Sequence, residues 1–458
     1  MNRTKLCLAA ALAALAAGCG EAESALAPSP VATGLSKIDN VVVIYLENHS
    51  FDNLYGSYPG AEGLASSAGT ALQVDASGAP YEALPPVMDT SVDPPKRDRR
   101  FPANLPNAPF DVETYVPADQ DVDDLVHRYY QEQQQIDGGK MDKFALVSDA
   151  GGLTMGYYDT SKLPLATFAA GYAVCDDFFH SAFGGSFLNH QWLIAAATPR
   201  WPGAPSDQVA VLDAAGALVT DGAVTPDGYV VNTAFAAGGP HPDGIPAKEL
   251  VPPQSGDTIG DRMTDAGVSW AWYAGGWNAA VAGHADALFQ YHHQPFVYYA
   301  KYGPGTEGRS HLKDEADFLA DAKGGTLPAV SFVKPSGQDD EHPGYATLAA
   351  GEQHVLDLIA AVMAGPQWKK TAIVVTYDEN GGFWDHVPPP KADRWGPGSR
   401  VPAIVVSAYA KAAYVDHTKY ETASILATIE HRFGLAPLSD RDAKATDLSN
   451  CFDFSKSP

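Results

Sequence analysis

The chain has 458 residues, 45% of them apolar, and a formal net charge of −25. That length and apolar content support one large or two ordinary domains with substantial cores, so disorder is not the default state. The negative balance argues against nucleic acid as a partner and against adsorption to anionic membranes, so any anionic substrate needs a local site to hold it.

At the start, Asn2-Arg3-Thr4-Lys5 precedes the apolar run Leu6 to Gly18, the pattern of an export signal over residues 1–19. The run is too short to span a bilayer, which takes roughly 20 apolar residues. Small residues before Cys19 are similar to a bacterial lipoprotein cleavage box, although Ala16 stands where a larger aliphatic residue is usual. An exported protein, anchored by lipid at Cys19 or secreted, is the expectation. Residues 20–35, rich in Ala, Ser and Pro, read as a flexible linker, and 36–458 as the catalytic domain. Of the four cysteines, Cys175 and Cys451 fall in that domain, where an oxidising compartment permits them to pair; two buried free thiols are the other reading.

The predicted elements begin with a strand over Val41 to Leu46, which ends in Glu47-Asn48. Residues 78–120 are dense in Pro and read as an irregular surface excursion. A helix is predicted over Asp121 to Gln135, with His127 off its apolar stripe. A second follows Gly184-Gly185-Ser186, over Phe187 to Ala197. Short strand runs at Gln208 to Leu212 and Tyr229 to Asn232, set among Gly, Pro and Asp turns, predict a small β-rich cap over about 200–260. The strands Ala329 to Val333, Ala372 to Tyr377 and Val401 to Ser407 then alternate with helices over Gly351 to Ala364 and Tyr420 to Phe433. Such alternation predicts an α/β fold, with a mainly parallel central sheet flanked by helices.

Three stretches carry chemistry. The crevice beyond the carboxyl ends of parallel strands is where ligands bind, so Glu47 and Asn48 form either a site or a cap for the next turn. A second strand end delivers Asp378 and Glu379, with Gly381-Gly382 allowing a sharp turn behind them. Three carboxylates brought together repel, and a divalent cation resolves the repulsion. In FGGSFLNH, Ser186 stands where a helix begins, and Asn189 lies one turn on; the position suits a nucleophile or an ordinary cap. His127, His292, His293 and His342 are the available donors to a phosphoryl group in a chain poor in Lys and Arg, whereas His386 in WDHVPPP suits a loop anchor.

Together ENHSFDNLYG, FGGSFLNH, DEHPGY and TYDENGGFWDHVPPP resemble the bacterial acid phosphatase and phospholipase C family of phosphoesterases, within the alkaline phosphatase superfamily. The resemblance runs from about residue 38 to 454. It implies an alkaline-phosphatase-like fold and a divalent ion, Ca, Mg, Mn or Zn, held by Glu47, Asn48, Ser186, Asp378 and Glu379. It also implies Ser186 as nucleophile, with Asn189, His127, His293 and His342 on the phosphoryl oxygens and His292 beside them. The substrate would be a small phosphate ester or a phospholipid. Ser186 in place of the Thr common in phospholipases C, and Asn189 followed by His190 instead of Arg, lean towards the acid phosphatase branch, active at acid pH if the histidines must be cationic. The rival readings are a phospholipase C acting on choline lipids and a surface lipoprotein that binds metal or phosphate without turnover.

Overall fold

The computed structural model describes residues 34–70 and 72–457. The expected export signal, and the linker up to residue 33, lie outside the described residues. Leu35 already belongs to the fold: it opens a short 3-10 turn and is buried.

Eight strands form the central sheet: β1 (Asn40–Leu46), β2 (Ala173–Cys175), β3 (Trp270–Ala274), β4 (Leu312–Asp314), β5 (Val330–Lys334), β6 (Thr371–Tyr377), β7 (Ala403–Ser407) and β8 (Tyr414–Asp416). Their spatial order is β4-β3-β5-β1-β6-β7-β2-β8. All run parallel except β7, which is antiparallel to both β6 and β2. All seven residues of β1 are buried, as are all seven of β6. A run of Val and Ile buried on both faces is what a parallel strand covered by helices requires, and it explains why these segments lack polar alternation.

The helices that matter to the site are α1 (Phe51–Tyr55), α2 (Tyr129–Ile136), α3 (Ser186–Ala195), α4 (Leu348–Ala364) and α5 (Thr422–Phe433). In α4 the Thr347 hydroxyl caps the first turn, and Leu348, Val355, Leu358, Ile359 and Val362 are buried at the helical period. Helix α5 packs on α3. It opens with a reciprocal cap between Glu421 and Ser424 and stops at Gly434, whose φ of +67° suits glycine.

Two expectations are corrected. The helix predicted over Asp121 to Gln135 exists only as α2, from Tyr129 onwards; residues 121–128 are extended. Their backbone groups are claimed by tertiary partners: Gly344 N–H donates to the Val122 carbonyl, and Val126 N–H donates to Asp149. Val122 and Leu125 are still buried, but by an extended chain. In the cap, only Val211–Leu212 and Leu218–Thr220 pair as strands, and Tyr229 and Val230 make isolated bridges. Among the described residues no helix is long and apolar enough to cross a membrane.

Candidate active site

The site grows from the register of three neighbouring strands. Leu46 lies opposite Tyr377, and the Asp378 N–H donates to the Leu46 carbonyl at 3.0 Å, so Glu47 and Asp378 emerge side by side at the carboxyl edge. On the other flank of β1, Ile44 pairs with Val333, which brings Lys334 to the same edge. Gly381, with φ +60°, lets the following loop pass close: a Cβ there would lie 2.2 Å from the Asn48 carbonyl oxygen.

Ser186 is the first residue of α3, and its hydroxyl donates to Glu47 Oε2 at 2.8 Å, with Asn48 Oδ1 at 3.4 Å. The two preceding glycines make room rather than confer mobility. A Cβ on Gly184 would sit 2.4 Å from Tyr129 N, and one on Gly185 would sit 2.8 Å from the His127 carbonyl oxygen, so the extended 121–128 segment lies directly on this loop. Asn189 fastens the loop: its amide donates to the carbonyls of Ala182 (2.9 Å) and Gly184 (3.0 Å) and accepts from Ala182 N–H (3.0 Å).

Five carboxyls, Glu47, Asp340, Glu341, Asp378 and Glu379, are buried at or beside this edge. Burial pushes Asp378 up, and Glu47 adds to the effect; burial and then Asp378 push Glu379 up. Burial also acts on Glu47, but His293 and Lys334 outweigh it and hold that carboxyl well below its usual range. Asp378 Oδ2 and Glu379 Oε1 are buried without a hydrogen-bond partner among the described residues. Unpartnered buried carboxylate oxygens suit a divalent cation, and beside them the ligand atoms of Glu47, His190 and His293 lie within 4.8 Å of one another, as do those of Asp124, His127 and His342.

Three of the histidines share one device. Nδ1 of His190 lies 2.8 Å from the Ser186 carbonyl oxygen, Nδ1 of His342 lies 2.6 Å from that of Pro343, and Nδ1 of His127 is bonded to that of Leu125. A carbonyl only accepts, so each ring donates from Nδ1 and keeps Nε2 free for the site. Nε2 of His127 faces the Asn48 amide at 3.4 Å and Glu379 Oε1 at 3.8 Å. His293 Nε2 is 2.8 Å and His190 Nε2 4.0 Å from Glu47 Oε1. Burial lowers His190, His292 and His342, and pushes His293 down to about 4 against the pull of Glu47. A cavity of about 280 Å³ opens above Ser186, walled by His127, His292, His342, Tyr345 and, from the cap, Asn232. Arg128 beside it is ion-paired to Asp221 of the cap.

Glu47, Asn48, His127, Ser186, His292, His293, His342, Asp378 and Glu379 reach this region, but the Asn189 amide is spent on loop carbonyls and His293 is bonded to Glu47, so neither lines the cavity as expected. Sequence reasoning missed Lys334, buried and ion-paired with Glu47; Asp340, whose Oδ1 accepts from His342 N–H at 3.0 Å; and His190 as a neighbour of Glu47. A helical count from Ser186 was the available signal for His190, since position i+4 returns to the same face. His386 is the loop anchor expected of it: Nδ1 lies 2.6 Å from Asp52 Oδ2. Asp52, Asp385 and His386 cluster as metal ligands do, but Arg400 occupies the cluster, bonded to both carboxylates.

A buried acidic cage around a helix-borne hydroxyl, opening on a small polar cavity, is the layout of a hydrolase for anionic esters. The profile of the phosphoesterase family matches residues 38–436, and the chain belongs to that family; it is a phosphoric ester hydrolase. Among curated proteins, phospholipase C B of Mycobacterium tuberculosis is 26% identical over 95% of this chain and 81% of its own length. Non-hemolytic phospholipase C of Pseudomonas aeruginosa is 24% identical over 92% of this chain and 58% of its own length. Among solved structures, a protein in the alkaline phosphatase superfamily from Vibrio parahaemolyticus superposes with a TM-score of 0.35 at 9% identity, covering 74% of each chain. The phosphonate monoester hydrolase from Silicibacter pomeroyi gives a TM-score of 0.33 at 11% identity, covering 66% of this chain and 74% of its own.

Proposed function

We propose that the protein hydrolyses phosphate monoesters through a covalent phosphoserine on Ser186, with a divalent cation held by Glu47, Asn48, Ser186, Asp378 and Glu379. The observation that carries this reading is the Ser186 hydroxyl, aimed at Glu47 Oε2 from the first position of α3. When bound, such an ion supplies Lewis-acid polarisation of the phosphoryl group and eases deprotonation of the hydroxyl beside it. Glu47, kept ionised by His293 and Lys334, orients the hydroxyl by accepting its hydrogen bond. Ser186 Oγ passes its proton to the Glu47 carboxylate and forms the new bond to phosphorus while the bond to the leaving oxygen breaks. Backbone N–H groups at the start of α3 face the charge that builds on the phosphoryl oxygens. His127, His292 and His342 bind those oxygens from the cavity wall, and one of them protonates the leaving oxygen. A dianionic substrate favours the charged imidazoles of His292 and His342, which burial otherwise lowers, so activity is expected on the acid side. Water then cleaves the phosphoserine.

Oxygen donors suit Ca, Mg or Mn, and the imidazoles of His190 and His293 next to Glu47 extend the range to Zn; elemental analysis of the purified protein identifies the ion. The second reading, a phospholipase C acting on phosphatidylcholine, is favoured by the names of the curated relatives. Turnover of p-nitrophenyl phosphate well above that of phosphatidylcholine supports the monoesterase, and the reverse ranking the phospholipase. Ser186→Ala is expected to lose at least about a thousandfold in kcat and to leave no acid-stable phosphoserine after quenching. Parent-level turnover in that variant would remove the covalent step. Chelation is expected to abolish turnover and a divalent ion to restore it, read by initial rates. We further propose that the chain is exported and lipid-anchored at Cys19, which a diacylglyceryl-modified N-terminal peptide in mass spectrometry would establish.

A further inference from the structure

We infer that Cys175 and Cys451 are joined by a disulfide in the mature protein, and that the bond staples the C-terminal segment to the central sheet. The two sulfur atoms lie 3.5 Å apart, both residues fully buried, although 276 positions separate them in the chain. They are the two cysteines of the described residues, and they meet each other.

Each backbone is fixed by contacts that owe nothing to sulfur. Cys175 ends β2, where it pairs with Ala403 of β7 on one side and Asp416 of β8 on the other. Cys451 closes the 3-10 turn Leu448–Cys451; its carbonyl accepts from Lys411 N–H at 2.9 Å, and the next residue, Phe452, bridges to Ala410. The pair is therefore prepositioned, with the two sulfurs in contact on backbones held independently of them. The surroundings oppose the alternative of a reactive thiolate. Cys451 Sγ lies 3.4 Å from Asp416 Oδ2 in a buried pocket, and its neighbouring thiol, burial and that carboxylate all push the Cys451 thiol up.

The chemistry balances by exchange. The two thiols give up two protons and two electrons, and a protein disulfide of the thiol-oxidase class accepts both and leaves as a dithiol. The link would close a loop that contains Ser186, His293, Lys334 and Asp378 and leaves Glu47, Asn48 and His127 outside it. Cross-linking so long a loop removes many conformations from the unfolded chain.

The test uses the full chain, exported by a bacterial host and purified without reductant. It is denatured in iodoacetamide, digested and mapped. The expected product is a Cys175–Cys451 linked peptide, lighter by two hydrogens than the sum of its reduced halves, with neither cysteine alkylated. Alkylation of both cysteines, or a link from either to Cys7 or Cys19, overturns the inference. For the staple role, reductant is expected to lower the melting temperature of the parent by about 5 °C and to leave that of Cys175→Ala/Cys451→Ala unchanged. A linked peptide with a melting temperature indifferent to reductant would overturn that role. None of these readouts depends on hydrolytic activity, so the outcome is separate from that of the proposed reaction.

Discussion

A lysine with no exposed surface is uncommon, and Lys334 is one because Glu47 meets its ammonium at the edge of the sheet. It offsets part of the negative charge that Asp340, Asp378 and Glu379 add to the same region. Lys334→Met is expected to lower the stability of the cation-free protein by about 3 kcal/mol, since it leaves Glu47 with less compensation. A divalent ion is then expected to raise the melting temperature of this variant more than that of the parent, as scanning fluorimetry with and without chelator would read. Glu47-Asn48 and Asp378-Glu379 were legible because each pair directly follows an apolar run with the pattern of a buried strand. Lys334 was not: it is the last residue of such a strand, and nothing in SFVKP indicates that the cation turns inward to a carboxylate from a distant segment. His190 was legible as position i+4 from Ser186, but its approach to Glu47 was not, since that carboxylate comes from a distant strand.

At the scale of elements, the loop that leads into Ser186 and the His127 segment depend on each other. The 121–128 segment lies flat on Gly184 and Gly185, and this contact carries His127 over Ser186. Gly184 has φ +84° and no space for a side chain. Gly184→Ala is therefore expected to cost about 2 kcal/mol or more in urea denaturation and to reduce kcat/KM by displacing His127. This arrangement also explains why that helix was over-predicted. Val122, Leu125, Val126 and Tyr129 have a nearly helical spacing, but Asp149 and Gly344 take the backbone groups that a helix would use, and both are invisible in local sequence. The sheet was more legible, because strand identity rests on local apolar runs. The order of the strands rests on pairings between segments hundreds of residues apart, which local sequence does not state.

Across the whole molecule, stability should vary with pH through buried acids remote from the site. Glu430 of α5 is buried, with one oxygen unpartnered; burial first, and Asp442 second, push it up to about 9. An acid whose folded pKa is raised binds its proton more tightly in the folded state. Its contribution is therefore present below the unfolded value of roughly 4.3 and is lost as pH rises towards about 9. Glu430→Gln is expected to gain about 1–3 kcal/mol over the parent at pH 8 and almost nothing at pH 4, measured by chemical denaturation at both values. The placement of β1 between β5 and β6 has a consequence for biosynthesis. The first strand leaves the ribosome with its acidic tip already made, yet its two neighbours are among the last third of the chain to be translated. A product that stops short of Thr371 lacks Asp378 and Glu379, so under the proposed reaction an interrupted message is expected to yield an inert polypeptide, with hydrolysis beginning only once synthesis is nearly complete.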